Sequence, residues 1–265
     1  MKTKKILIIM MTLLVAVAGF FCWKLIESEQ VYKKGRQYYD DLRDQTIIRD
    51  EVSGYLTIDQ EKLMLMNEDY IGWLDVPGTK ISYPLVQASD NDYYLRLSFE
   101  QTDLYSGVIF LDCSNDARLL DLNSILYGHN MKDGSMFHDV EQYKDSSYFD
   151  EYPIIHFYQD DSIYIYHIYS FDLVDENSAA FATQFDSSQS YRQWLQQQKD
   201  ASKYVMGVQE EIYIESSIAQ IATKIGMKKA IPRLGSTITL STCDNSNDVE
   251  RYIIQAALTE IVKPE

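Results

Sequence analysis

The amino-acid sequence predicts a mainly β protein, a barrel or sandwich of about eight short strands carried behind an apolar N-terminal helix. Three observations lead there. Tyrosine, a good strand residue, occurs 21 times in 265 residues, while glycine occurs only 11 times. From residue 70 onward, short runs of β-branched and aromatic residues alternate with turn residues. Near the start lies an uncharged run of 18 residues, 6–23, just long enough to cross a hydrocarbon core as a helix.

The elements follow in order. MKTKK puts three lysines ahead of the apolar run, so the positive-inside rule keeps the N-terminus cytoplasmic and sends the rest outside. A cleaved signal peptide is the rival, because Ala16-Val17-Ala18 fits a small-x-small cleavage site. The run continues through Phe20, Phe21 and Trp23 to Leu25 and Ile26, which favours an uncleaved signal-anchor. Cys22 follows two bulky phenylalanines and does not fit a lipoprotein cysteine. Residues 1–26 therefore form a cytoplasmic stub and a single membrane-spanning anchor. Residues 27–66 are polar and nearly free of Gly and Pro. Val31, Tyr38, Tyr39, Leu42, Ile47 and Ile48 recur there at loosely helical spacing. One or two helices are predicted, with a break at Ser53-Gly54 before the stretch at 58–63.

The third region, 67–265, holds the strands. They are expected at 71–76, stopped by a Pro77-Gly78 turn, then at 81–86, 107–112, 124–129, 154–158, 163–174, 237–243 and 252–261. Residues 187–203 break the pattern. Their helix propensity is high, and Tyr191, Trp194 and Leu195 share one face. This predicts a helix in the long connection before the penultimate strand. It either builds a binding site, as long connections on β scaffolds often do, or covers the barrel.

Composition excludes some functions. The formal net charge is −16, and beyond the first 24 residues 20 basic residues face 40 acidic ones. Phosphate binding needs local positive charge, so nucleic acid is not an expected partner. Of three cysteines, Cys22 lies in the apolar run. Only Cys113 and Cys243 can meet, and their number allows one disulfide. Such sparse usage argues against a disulfide framework, and no Cys-x-x-Cys spacing suggests zinc. No metal or cofactor is expected, with calcium left open by the acidic surface.

The chemistry concentrates near the end. TLSTC at 239–243 is a β-type run that stops at Cys243, and Arg251 follows a seven-residue acidic loop, DNSNDVE. A strand end, a loop and a strand start bring the two side chains to one rim. The alternative is a buried cysteine beside an arginine paired with Asp244, Asp248 or Glu250. Of four histidines, His156 and His167 lie in strand-like runs and read as packed or edge residues, and His138 reads as a surface residue. His129 differs, because it ends the run SILYGH, follows Gly128 and opens a polar loop. The three residue types suit acyl transfer. A thiol attacks only as thiolate, and its free pKa of about 8.5 leaves it mostly protonated at neutral pH. An imidazole can take that proton and later deliver one to a leaving amine. A guanidinium is a permanent multi-donor partner for an oxyanion.

TLSTC followed by Arg251, together with LYGHN at 126–130, resembles the signature of sortases, the membrane-anchored cysteine transpeptidases of Gram-positive bacteria. The resemblance is to class B. It runs from about residue 67 onward through NEDYIGWLDVPGT, ISYPLVQ, DNDYYL, GVIFLD, NSILYGHNMKDGSMF and TLSTC, in order and spacing. It implies an eight-stranded barrel with N-terminal helices. Cys243 would be the nucleophile, His129 the general acid/base and Arg251 the oxyanion or substrate stabiliser. Asn91, Leu95, Ser241, Thr242 and Asp244 would line the substrate groove. The implied reaction cuts a C-terminal sorting signal after threonine through a thioacyl intermediate, which an amine of a cell-wall precursor resolves. Two features stand out beside the resemblance: Cys113 stands where class B enzymes usually have an aromatic, and no aspartate-aromatic lid of the kind found in pilus-building class C enzymes is evident. The second favours wall anchoring over pilus polymerisation. A thiol peptidase that only hydrolyses, and a non-catalytic tethered barrel that binds peptide or wall polymer, are the rival readings.

Overall fold

A computed structural model describes residues 2–50, 52–202, 204–205, 235–243 and 250–263. The chain opens with α1 (Lys2–Thr46), a single helix of 45 residues. The apolar run and the polar segment after it are thus one uninterrupted element. Its first half is exposed, and its second half buries one face. Tyr39 and Leu42 on that face are buried against the barrel. The Tyr39 hydroxyl donates to the carbonyl of Gly107.

Ile47 and Ile48 do not continue that helical face, as their spacing suggested. They open β1 (Ile47–Arg49), which pairs antiparallel with β2 (Leu56–Ile58). Two successive β-branched residues are stiff at χ1 and suit a strand once the helix has ended. The Asp50 carboxylate accepts from the Val52 amide and the Ser53 hydroxyl, and Gly54 takes φ +74°, which turns the chain back. The short α2 (Gln60–Met66) follows, capped by the Asp59 side chain on the Lys62 amide.

The strands β3 (Tyr70–Asp75), β4 (Ser82–Val86), β5 (Ile109–Leu111) and β6 (Asn123–His129) come next. After α3 (Ser146–Glu151) come β7 (Ile154–Gln159) and β8 (Ser162–Asp175). Then follow α4 (Ser188–Ala201), β9 (Tyr204–Val205), β10 (Thr237–Cys243) and β11 (Glu250–Val262). Eight strands are hydrogen-bonded in the order β11-β10-β6-β5-β4-β3-β7-β8, and β8 pairs back onto β11. That pairing closes the barrel and removes its edges, while β9 lies against β8. The barrel is mixed: β4–β5 and β6–β10 are parallel, and its other pairs are antiparallel.

Alternate residues of each strand fill the interior. Leu74, Leu85, Ile109, Leu126, Phe157, Tyr166, Leu240 and Ile254 are among those with almost no exposure. Full burial of one such side chain stabilises by roughly 1.5–3 kcal/mol. Outside the barrel, α4 packs Tyr191, Trp194 and Leu195 on Tyr169 and Ala257. The Tyr191 hydroxyl donates to the Gly235 carbonyl and lies 2.9 Å from the Thr237 hydroxyl. The helix therefore covers the barrel at the foot of β10, the end opposite Cys243.

The expected strand 107–112 shrinks to three residues for a local reason. Gly107 has φ +59°, and a Cβ there would lie 2.6 Å from the Tyr94 carbonyl and 2.7 Å from the Leu95 carbonyl. We expect Gly107→Ala to cost about 1–3 kcal/mol through backbone strain and collision with those carbonyls. Thermal melts should show a Tm lower by several degrees, and an unchanged Tm would contradict the argument.

Candidate active site

The parallel ladder between β6 and β10 makes His129 and Cys243 direct Cα partners. On the other side of β10, Ser241 pairs with Ile253 of β11. Carrying that antiparallel register two residues further sets Arg251 opposite Cys243. The Tyr252 amide donates to the Thr242 hydroxyl at 3.1 Å, so the two strands are still in contact one residue before that level. Residues at one level of adjacent strands share a face, and neighbouring strands lie about 4.8 Å apart. His129, Cys243 and Arg251 thus form one row across three strands. The next row down the same face is Tyr127, Ser241 and Ile253, and the one after is Ile125, Thr239 and Gln255.

His129 is only 3% exposed, and its Nε2 lies 2.7 Å from the carbonyl oxygen of Leu95. A carbonyl can only accept, so Nε2 carries the hydrogen and Nδ1 is left as the nitrogen that titrates. Leu95 ends a 3₁₀ turn at Tyr93–Leu95. Its contribution is thus a main-chain oxygen, which residue-type reasoning on a groove leucine did not anticipate. Gly128 is needed just before the histidine. A Cβ there would approach Phe137 to 2.8 Å and collide with Ile109. After His129 the chain folds back: the Phe137 amide donates to the His129 carbonyl at 2.9 Å. Within that loop, Asp133 accepts from the Arg36 guanidinium at 2.6 Å, which ties it to α1.

Arg251 keeps 20% of its side chain exposed, and its guanidinium lies 3.7 Å from the Glu176 carboxylate. Glu176 follows β8 and was not among the acids proposed for it from sequence. The contact is long and Glu176 is mostly exposed, so it holds the arginine weakly.

The remaining candidates divide by position. Ser241 is buried on the face of the row, one level below Cys243. Thr242 alternates to the other face, where its hydroxyl receives the Tyr252 amide. Asn91 sits further away and is locked at both ends. Its amide donates to Asp112 at 2.9 Å, and its side-chain oxygen accepts from the Cys113 amide at 2.8 Å. The Tyr127 hydroxyl also donates to Asp112, at 3.1 Å, so Asn91 reaches the second row through that carboxylate. Burial pulls the Asp112 pKa up, but hydrogen bonds from Ser114, Asn91 and Tyr127 outweigh it and hold the carboxyl below its ordinary value. Asp244 and Asp248 lie outside the described residues.

Through the third row runs a chain of buried polar residues that sequence reasoning passed over. The Ser170 hydroxyl donates to Gln255 at 3.0 Å, and the Gln255 amide donates to the Thr239 hydroxyl at 3.3 Å. Thr239 donates to Asn123 at 2.8 Å, and Asn123 donates to the carbonyls of Ala180 and Ala182. Four strands are pinned in register under the site by this chain, since a slip would leave buried polar groups unpaired. The signal was present as polar residues inside strands that are otherwise apolar.

Cys113 is exposed and free. The Asp112 amide bonds the Ile125 carbonyl, which lies four residues before His129 on β6. That is about 13 Å along the strand, so no disulfide reaches Cys243. The other histidines are structural. The His138 Nδ1 lies 2.9 Å from the Asn130 side-chain oxygen, and His167 is paired in β8 with Ile154. His156 is buried beside Tyr55 and Tyr158, and burial lowers its pKa. The folded state therefore resists a proton that the unfolded chain accepts near pH 6.5. Stability is expected to decline as pH falls below that value, and Tm measured against pH should decline less in His156→Gln. Among the described residues no group of three or more His, Cys, Asp or Glu side chains is arranged to hold a metal ion.

Comparison with known proteins adds the family. The family profile described as "Sortase domain" matches residues 74–259. The sortase B of Listeria monocytogenes serovar 1/2a (strain ATCC BAA-679 / EGD-e) is 32% identical over 241 residues, covering 86% of this chain and 89% of that protein. The crystal structure of sortase B from B. anthracis in complex with AAEK1 superposes with a TM-score of 0.68 at 26% identity, covering 87% of this chain and 99% of that one. A Staphylococcus aureus sortase B-substrate complex superposes with a TM-score of 0.61 at 27% identity, covering 88% and 95% of the two chains.

Proposed function

Because the chain belongs to the sortase family, in its class B branch, and is thereby an acyl-transferring cysteine transpeptidase, we propose that Cys243, His129 and Arg251 carry its chemistry. The substrate is a sorting signal near the C-terminus of a secreted protein, cut after threonine. The Cys243 thiolate attacks the threonine carbonyl carbon and forms a C–S bond. The carbonyl electron pair moves onto oxygen, and Arg251 stabilises that oxyanion. When the oxyanion collapses, the C–N bond breaks, and protonated Nδ1 of His129 delivers a proton to the leaving amine. A thioacyl intermediate remains. An amine of a cell-wall precursor attacks it, His129 takes the amine proton, and the thiolate leaves.

The observation that carries this reading is the Cα pairing of His129 with Cys243 on adjacent parallel strands; carrying the β10–β11 register two residues past Ser241–Ile253 brings Arg251 to the same level. The carbonyl of Leu95 supports it as well, because it directs Nδ1 of His129 to the proton-transfer role. Leu95 and Ser241 border the groove, Asn91 acts on it through Asp112 and Tyr127, Thr242 lies behind it, and Asp244, the residue after the nucleophile, completes the set. The apolar part of α1 anchors the protein as a single-pass membrane protein, with the barrel outside; that helix is long and apolar enough to cross a membrane.

Product analysis by mass spectrometry tests the reaction. With a sorting peptide and an amine acceptor, the expected product is the acceptor-ligated peptide. If only the free acid forms at saturating amine, the enzyme is a hydrolase. Arg251→Ala is expected to lower kcat/KM roughly 100- to 1000-fold. Arg251→Lys is not expected to restore it, because an ammonium lacks the planar, multi-donor fork. Near wild-type turnover in the lysine variant would remove the guanidinium-specific part of the proposal.

A further inference from the structure

We infer that the rim of the barrel beside His129 rests on the headgroup layer of the membrane, held there by α1 as a rigid strut. The inference builds on the proposed membrane anchor and adds an orientation and a docking surface to it. The apolar run of α1 ends at Ile26, and the helix continues without a break to Thr46. At Tyr32 the helix meets the catalytic domain, where its ring lies edge-on to Tyr105 at 6.2 Å. Lys34 then donates to the Asp103 carbonyl, and Gly35 passes against Ser106. Tyr32 lies six helical steps beyond Ile26, or about 9 Å of rise. A continuous helix leaves little freedom to lift or swing the loop 103–106 away from the surface.

That loop is a short step from the catalytic row. The guanidinium of Arg96 lies 4.4 Å over the Tyr105 ring. Arg96 is the neighbour of Leu95, whose carbonyl receives His129. The loop that follows His129 is tied to the same helix through Arg36 and Asp133. The end of the barrel that carries the row is therefore the end nearest the anchor.

The surface suits lipid headgroups. Tyr105 is 37% exposed, an aromatic with a polar tip of the kind that settles at a membrane–water interface. Arg96 and Lys34 are exposed beside it, and Lys33 is exposed on the adjoining helix. Residues 24–36 hold four basic and two acidic residues in a protein whose net charge is −16. This local excess favours anionic lipid. A peptide tethered in the same bilayer would meet the row without leaving the surface.

Fluorescent labelling of the full chain in phosphatidylcholine/phosphatidylglycerol vesicles tests this. A chain with Cys22→Ala, Cys243→Ala, Cys113→Ala and Tyr105→Cys carries an NBD label at position 105. The control keeps native Cys113, at the far end of β5, as its only cysteine. Doxyl-lipid quenchers are expected to quench the label at 105 at least about threefold more than the label at 113. Seven alanines inserted between Glu27 and Ser28 raise the barrel by about 10 Å at nearly the same rotation, and break neither Lys24–Glu27 nor Arg36–Glu29. That insertion should abolish the difference. In a chain with its three native cysteines, the same insertion should leave kcat/KM on a soluble peptide within about twofold. Equal quenching at the two positions, in a chain that floats with the vesicles, overturns the docking. A chain that fails to float with them overturns the membrane anchor itself.

Discussion

Cys243→Ala is expected to lower kcat on a sorting peptide by at least about 10⁴-fold, since losing the nucleophile of a comparable triad costs about 10⁶. The fold should survive. β10 is held by backbone ladders to β6 and β11 and by the Thr239–Asn123 and Thr239–Gln255 hydrogen bonds, none of which uses the Cys243 side chain. A cleavage assay paired with a thermal melt checks both halves. Residual turnover above about one per cent in a variant with unchanged Tm would mean that another group attacks, and the exposed Cys113 thiol would be the first to examine. Cys243→Ser should rescue little, because a hydroxyl has no accessible anion near neutral pH.

His129→Gln is expected to cost about 10²–10⁴-fold in kcat/KM, the usual worth of a positioned acid/base. Glutamine separates position from chemistry. Its amide can still donate to the Leu95 carbonyl that His129 reaches at 2.7 Å, but it can carry no proton between thiol and amine. The wild-type pH profile should be bell-shaped, with limbs that belong to the thiol–imidazole pair rather than to either residue. The variant should lose that shape along with its rate. A bell unchanged in both limbs would remove His129 from the proton transfers and leave it a packing role.

Local pattern carried much of the fold. The strand expected at 237–243 is β10 with the same bounds, and the one at 124–129 differs from β6 by a single residue. Runs of β-branched and aromatic residues between turns express a half-buried pleated surface, and that is a property of short windows. Where windows misled, a tertiary contact or a turn decided. Ile47 and Ile48 matched a helical stripe, yet the partner strand at Leu56–Ile58 claimed them. Gly107 belonged to an apolar run, yet a positive φ and two facing carbonyls made it a corner.

The candidate site was legible as residue types. A cysteine at a strand end, an arginine after a short loop and a histidine behind a glycine are chemistry that a reader can collect from the chain. Their assembly into one row rests on the parallel pairing of β6 with β10, whose Thr239–Asn123 bond joins residues 116 apart. No local periodicity encodes such a pairing. It follows from closing eight strands into a barrel, where each strand's neighbours are set by the whole packing. The same holds for the Leu95 carbonyl on His129 and for Glu176 near Arg251. Any residue can supply a main-chain oxygen, and any of 40 acids can supply a carboxylate. The sequence by itself determined which side chains are candidates to act. The tertiary structure decided which atoms orient them, because hydrogen bonds and register depend on distances that only the closed barrel defines.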